Sequence, residues 1–309
     1  MMEVKNVLCP TDLSEVSERA FDHAVDFARW YDARLTVLHV LPPLPVMLGA
    51  SGVPPPPQAI DDSERRRALD RFVADRTPEG SPLVETVLAA GDPAREITAR
   101  AQAGRADLLV AGTHGWRGLP RWLLGSVAEQ LLRTAPCPLL VVPPHVAEAP
   151  PPVPVLLRPL LCAVDFSDAS LRAAEVAFSL AQEADARLLL LHVVEALPPV
   201  QPIVPVGPAL AGYEQDLETD AEDRLRRVVP VGAGDWCEPE VRVARGKPWR
   251  EIVREASDRD AGLIVMGVHG HGPLDRFFFG STADGVVRHA GCPVLVAHPR
   301  LAAGEPAAG

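Results

Sequence analysis

Aromatic residues make up only 5% of this 309-residue chain, and its five cysteines never form a C-x-x-C pair. The missing pair excludes the usual zinc-ribbon and thioredoxin-like spacings. Cys9, Cys137, Cys162, Cys237 and Cys292 are therefore expected as reduced, buried residues that pack like small apolar ones. No apolar run reaches the ~18–20 residues that span a bilayer. No long Lys/Arg run occurs either, and 30 basic residues against 41 acidic ones leave a net charge of −11. That balance argues against a nucleic-acid surface, because neutralising phosphates needs a concentrated basic face. The opening "MMEVKNVLCPTDLS" lacks the basic end, apolar stretch and cleavage site of a secretory signal. A cytoplasmic protein with neither a membrane nor a nucleic-acid partner is expected. Two nucleotide signatures are missing too. The turns "DLSEVS" and "DFSDAS" are not G-x-G-x-x-G, and G-x-x-x-x-G-K-[ST] occurs nowhere. The common dinucleotide-binding domain and the P-loop are thereby excluded.

What is present is duplication. "LCPTDLSEVSERA" (Leu8 to Ala20) matches "LCAVDFSDASLRA" (Leu161 to Ala173), and "DARLTVLHV" matches "DARLLLLHV", both at an offset of 153 residues. "APCPLLVV" matches "AGCPVLVA" at an offset of 155. Between them, "GTHGWRGLPRWLLGS" (Gly112 to Ser126) and "GVHGHGPLDRFFFGS" (Gly267 to Ser281) keep the same three glycines and the same final serine. Residues 1–146 and 158–299 thus read as two copies of one domain, joined by a proline-rich linker at 147–157 and followed by a tail at 300–309 of disordered composition. Within each copy, short apolar runs alternate with helical spacing, the pattern of a parallel sheet with right-handed crossovers. Two stretches, Pro42 to Gln58 and Leu197 to Gly212, carry enough proline to exclude regular strand or helix.

The glycine loop follows a strand and precedes a helix. Ser126 with Glu129, and Ser281 with Asp284, have the spacing of a capping box, which would make the serines plain helix caps. The alternative uses all the features together. Glycines let backbone amides approach a phosphate chain, and the helix N-terminus adds open donors and partial positive charge. Asp12 and Asp165 end the first strand of each copy, where a doubly wound sheet places its crevice. A carboxylate there can bind ribose hydroxyls or hold Mg2+ beside phosphates; its bland role is to cap the helix that starts at Ser14 or Ser167. His39 and His192, set in apolar strands, are expected as satisfied core histidines. "GDPAREI" and "GKPWREI" recur near the same crevice, and Lys247 is a candidate phosphate contact present in one copy only.

These motifs, G-x2-G-x9-G-S, Asp-x-Ser after strand one, "LHV" on strand two and the closing "CPLLVV" and "CPVLVA", resemble the universal stress protein family in its tandem, ATP-binding form. The resemblance implies an α/β fold of two Rossmann-like domains, each a five-stranded parallel sheet in the order 3-2-1-4-5 with helices on both faces. It implies ATP, with Mg2+, as ligand. Thr11, Asp12, Val164 and Asp165 would meet the ribose, and the backbone of Val40 and Val193 the adenine. Gly112, Gly115, Gly125, Ser126 and Val127 would cradle phosphates in one half, and Gly267, Gly270, Gly280, Ser281 and Thr282 in the other. His114 and His269 sit inside these loops and go with this set; His269 and His271 form H-x-H, but two ligands on one loop without a third acid or cysteine nearby are thin support for a metal site. Trp116 and His271 stand where the family often has a basic residue, and Arg117, Arg121 and Arg276 lie nearby. The family also implies pairing through the last strands, within one chain or between two. No nucleophile–base pair is evident. An ATP-binding regulator with little turnover is expected; an adenine-nucleotide-using enzyme (a slow ATPase or nucleotide transferase) and a purely structural pseudo-dimer stay open.

Overall fold

The computed structural model describes residues 3–42, 62–78, 80–81, 83–113, 124–143, 158–195, 208–268 and 280–298. The first half runs β1 (Asn6–Pro10), α1 (Glu15–Trp30), β2 (Arg34–Leu41), α2 (Asp62–Ala74), β3 (Val84–Ala90), α3 (Pro93–Ala103), β4 (Leu108–Gly112), α4 (Ser126–Thr134) and β5 (Leu139–Val142). The second repeats it as β6 (Leu160–Ala163), α5 (Asp168–Ala184), β7 (Leu188–Glu195), α6 (Pro208–Val228), β8 (Pro239–Gly246), α7 (Pro248–Asp258), β9 (Leu263–Gly267), α8 (Ser281–His289) and β10 (Val294–Ala297). The strands form one ten-stranded sheet in the order β3-β2-β1-β4-β5-β10-β9-β6-β7-β8. Each half has the order 3-2-1-4-5, and its strands are parallel throughout.

The question left open by the last strands is answered inside the chain. β5 and β10 pair antiparallel, with Val141 opposite Val294 and Leu139 opposite Val296. Pairing them removes what would otherwise be two exposed apolar edges. The edge that remains at β3 is partly covered, since Arg66 of α2 donates to the Thr86 carbonyl at 2.9 Å.

Buried residues divide by sheet face rather than by half. Phe21, Phe27 and Leu69 share one core with Phe178 and Leu225, under α1, α2, α5 and α6. Leu131, Leu132 and Ile97 share the other with Ile252 and Val286, under α3, α4, α7 and α8. The halves also touch by a polar bond, where Tyr31 Oη donates to Glu183 Oε2 at 2.5 Å. All five cysteines are reduced and buried, as expected; burial raises the thiol pKa of Cys9 and Cys162 well above the usual range.

One expectation fails at a helix start. The prolines between Leu197 and Gly212 predict an irregular stretch, yet α6 begins at Pro208. Proline is tolerated in a first turn, where its missing N–H has no intrahelical partner to lose. The remainder of that stretch, the other proline-rich loop, the 147–157 linker and the tail lie outside the described residues.

Candidate functional site

Both halves turn from strand to helix in the same way. Leu13 and Phe166 take positive φ, 64° and 65°, directly after the two aspartates. This left-handed backbone disfavours bulky side chains, so both turns hold local strain at the sheet's carboxyl end. The turn brings Asp12 Oδ1 to the Ser14 amide at 3.1 Å and the Ser14 hydroxyl at 2.5 Å. Asp165 Oδ1 repeats this with Ser167 at 2.9 and 2.6 Å. Ser14 and Ser167 in turn cap α1 and α5. The aspartates therefore do not cap those helices directly; they fix the serines that do. Behind the turn, His39 Nδ1 donates to the Thr11 carbonyl and His192 Nδ1 to the Val164 carbonyl, both at 2.7 Å. A carbonyl carries no proton, so each bond fixes the tautomer. These histidines are satisfied, as expected, although half-buried rather than fully enclosed.

The first glycine of each motif is held by packing. A Cβ on Gly267 would lie 2.7 Å from the Ala169 carbonyl carbon and 2.8 Å from the Ser170 amide nitrogen. On Gly112 it would meet Val16 Cγ1 at 3.0 Å and the Val16 carbonyl oxygen at 3.3 Å. Both glycines let α1 or α5 cross close to the end of β4 or β9. The last glycine differs. A Cβ on Gly280 would meet nothing nearer than the Val268 carbonyl oxygen at 3.6 Å, and its φ of −59° suits any residue. Neither strain nor crowding among the described residues requires glycine there.

The capping-box expectation is overturned in both copies. Gly125 and Gly280 occupy the N-cap positions, without a side-chain cap, and Ser126 and Ser281 are the first helical residues. Glu129 turns away to Arg133 at 2.6 Å, and Asp284 to Arg288 at 2.8 Å. A serine inside the helix is past the position from which its oxygen reaches the N2 or N3 amide. Ser126 and Ser281 are exposed, and among the described residues no side chain caps the first turn of α4 or α8.

In the second half these parts converge on a cleft of ≈ 300 Å³. Val164, Asp165, Val193, Gly267, Gly280, Ser281 and Thr282 line it, so seven of the residues expected from sequence meet in one place. Its apolar floor went unread: Leu191, Ile252 and Met266 lie against it, with Pro248 at the start of α7. Ile252 and Pro248 belong to the repeated "GKPWREI", which did signal the crevice, whereas Leu191 and Met266 lie in unbroken apolar strands that give no such sign. In the first half, Thr11 and Asp12 just after β1, Val40 on β2, Gly112 on β4, and Gly125, Ser126 and Val127 at the start of α4 hold the matching positions. His114, Gly115, Trp116, Arg117, Arg121, His269, Gly270, His271 and Arg276 lie outside the described residues.

The sequence profile of the Universal stress protein family matches residues 3–143 and 157–298. The chain belongs to that family. A universal stress protein of Mycolicibacterium smegmatis is 31% identical over 305 residues, covering 95% of this chain and 97% of its own. A universal stress protein of Methanocaldococcus jannaschii is 39% identical over 139 residues, 45% of this chain and 81% of its own length. Among solved structures, a universal stress protein from Archaeoglobus fulgidus superposes with a TM-score of 0.67 at 24% identity, covering 94% of this chain and 95% of its own. As a tandem universal stress protein, the chain carries both copies of the family's domain in a single sheet. No helix among the described residues is long and apolar enough to cross a membrane, and no group of three or more His, Cys, Asp or Glu side chains suited to a metal occurs among them.

Proposed function

We propose that this tandem universal stress protein is an adenine-nucleotide-binding regulator, with one site per half, ATP with Mg2+ as ligand and little or no turnover. One observation carries the reading. The N-terminus of α8, with a glycine N-cap that neither backbone strain nor packing among the described residues requires, lies on the cleft that Asp165 also lines. An absent Cβ gives a phosphate oxygen access to the first-turn amides, and the Ser281 hydroxyl adds a donor. Asp165 suits ribose hydroxyls or a phosphate-bound Mg2+, which a single carboxylate can share with water and phosphate oxygens. Leu191, Ile252 and Met266 offer the apolar surface a purine needs. When bound, ATP would supply charge and a phosphate chain. The chain's own residues bind and orient it, and Asp12 and Asp165, tied to serines, are held as binding groups rather than as bases for water.

The test is the identity and stoichiometry of what the protein carries. Freshly purified chain is denatured and the released small molecules are identified, then the stripped protein is titrated with Mg-ATP. Adenine nucleotide approaching two per chain is the expected result. Gly280→Val and Asp165→Ala should each remove the second-half share, by about tenfold or more in Kd, while the protein stays folded. No release and no uptake would leave the glycines as folding features alone.

A further inference from the structure

Among the described residues the two halves build this region from equivalent positions, and two differences between them favour a phosphate chain in the second. Thr282 places a hydroxyl on the first turn of α8, where the first half has Val127. Lys247 precedes Pro248, which lines the second cleft, where the first half has Asp92 before Pro93. Asp92 caps α3, accepting from the Arg95 amide at 3.0 Å. Lys247 occupies the N-cap of α7 with no side-chain cap bond. It is exposed, and its ammonium lies 5.7 Å from the centre of the Trp249 ring. The next basic residue, Arg250, is matched by Arg95 and is exposed in both halves, so it does not alter the comparison. The rim thus changes from a carboxylate to an ammonium, a difference of two charges, and the adjoining helix end gains a donor. Both α7 and α8 begin at the carboxyl end of the sheet, and Pro248 and Ser281 line the same cleft.

We infer that the halves are unequal receptors: the second is the tighter, polyphosphate-selective site, and Lys247 and Thr282 set that selectivity. The inference rests on the reading of the clefts as nucleotide sites. Its physics is simple. A rim charge in water acts on a multiply charged phosphate chain over about a Debye length, ~8–10 Å at ordinary salt, and barely acts on an uncharged nucleoside. The carboxylate of Asp92 repels the same chain that the ammonium of Lys247 attracts. A hydroxyl at Thr282 can donate to a phosphate oxygen, whereas Val127 can only border it.

The experiment is calorimetric titration of the full chain with Mg-ATP and, separately, with adenosine, at low and high salt. In the unmodified protein, two classes of ATP site separated by about tenfold or more are expected. Lys247→Asp combined with Thr282→Val should weaken the tight class about tenfold, leave adenosine within about twofold, and lose less at high salt. Asp92→Asn, which keeps an oxygen for the α3 cap, should tighten the weak class about threefold. Thermal unfolding checks each variant, and Lys247→Ala alone, at an exposed position, carries the test should the double variant not fold. Equal ATP sites in the unmodified chain, unchanged ATP binding in the double variant, or equal losses of ATP and adenosine would each overturn the inference. A chain that takes up neither ligand removes the nucleotide reading itself, and this inference with it.

Discussion

In the second half Trp249, Gly285 and His289 meet between α7 and α8, where the first half has Ala94, Gln130 and Thr134 at the matching positions of α3 and α4. In the first, Thr98 and Thr134 bring their hydroxyl oxygens to 3.3 Å. In the second, Trp249 fills the hole left by Gly285 and stacks on His289, with ring centres 4.4 Å apart. One helix pair is thus held twice by different chemistry at the same place. The lesson is that a large residue and its small neighbour go together: Trp249 stands where the first half has Ala94, and the Gly285 that makes room for it stands where the first half has Gln130. Substitutions that move one half toward the other therefore test whether each difference is compensated.

The largest effect is expected where compensation is tightest. Gly285→Gln gives the second half the residue of the first, but a Cβ there would lie 2.4 Å from Trp249 Cγ and 2.7 Å from its Cβ. These atoms sit at the root of the side chain and cannot swing away. A loss of about 4 kcal/mol is expected, above the usual range for overpacking. Adding Trp249→Ala, which matches Ala94, should recover most of it. Urea unfolding of the two single variants and the double variant supplies the coupling energy; strict additivity would break the claim that the pair has co-adapted.

A smaller effect separates Glu255 from its counterpart. Glu255 is 2% exposed and is bound by Arg242 at 3.0 Å, Arg254 at 2.7 Å and Arg259 at 3.1 Å. The first half has Arg100 at that position, exposed and 3.5 Å from Glu85. Burial alone would raise the Glu255 pKa, yet the three guanidiniums outweigh it and hold it below 4.5. Glu255→Gln should cost about 3 kcal/mol, the low end for a broken buried pair because the arginines keep solvent. Arg100→Ala should cost less than about 1 kcal/mol. The sign of the pH dependence follows from the depressed pKa: the stabilisation is present above the unfolded value of 4.5 and is lost as pH falls through the folded one. Equal costs for the two substitutions would mean that burial does not distinguish them.

Much of this was legible in the sequence because the two copies check each other. Alternating apolar runs located the strands, and α3 opens on Pro93 and ends just before Gly104, the proline-first, glycine-last asymmetry that a sequence displays at helix ends. Legibility failed where one residue type serves two purposes. Spacing made Ser126 and Ser281 look like caps, but only coordinates show that a glycine takes that place and that Glu129 and Asp284 pair forward along the helix. The same holds for the glycines. Nothing in "GVHGHGPLDRFFFGS" tells that Gly267 is fixed by the close approach of α5 while Gly280 has room for a Cβ. Met266 was hidden because a strand buried on both faces is apolar throughout, and periodicity cannot single out the residue that meets a cleft.

A smaller effect than that of Glu255 is expected at neutral pH on α1, where His23 stands at the position of Val176 on α5. His23 is 6% exposed, and its Nδ1 has no hydrogen-bond partner among the described residues. A buried, unsatisfied ring nitrogen costs about 1–3 kcal/mol. His23→Val should therefore stabilise the fold by about 1 kcal/mol at pH 7, part of the gain being lost to imperfect packing. The difference should widen in acid. Burial lowers the His23 pKa from 6.5 to about 4, so the unfolded chain takes up a proton that the folded chain refuses. Stability falls as pH drops from 6.5 toward 4, by up to about 3 kcal/mol for a shift of this size. The neighbouring Asp22 works the other way: burial raises its pKa to about 6, and its contribution, complete below 3.8, is lost as pH rises through 6. The two slopes oppose each other in the unmodified protein, so its own pH profile is a poor probe. The difference between the unmodified chain and His23→Val cancels Asp22, and isothermal urea unfolding from pH 7 to pH 4 measures it. A gain that widens below pH 6.5 assigns the acid sensitivity to His23. A constant difference would show that Nδ1 finds a partner in solution, and that the histidine, like Val176, only fills space.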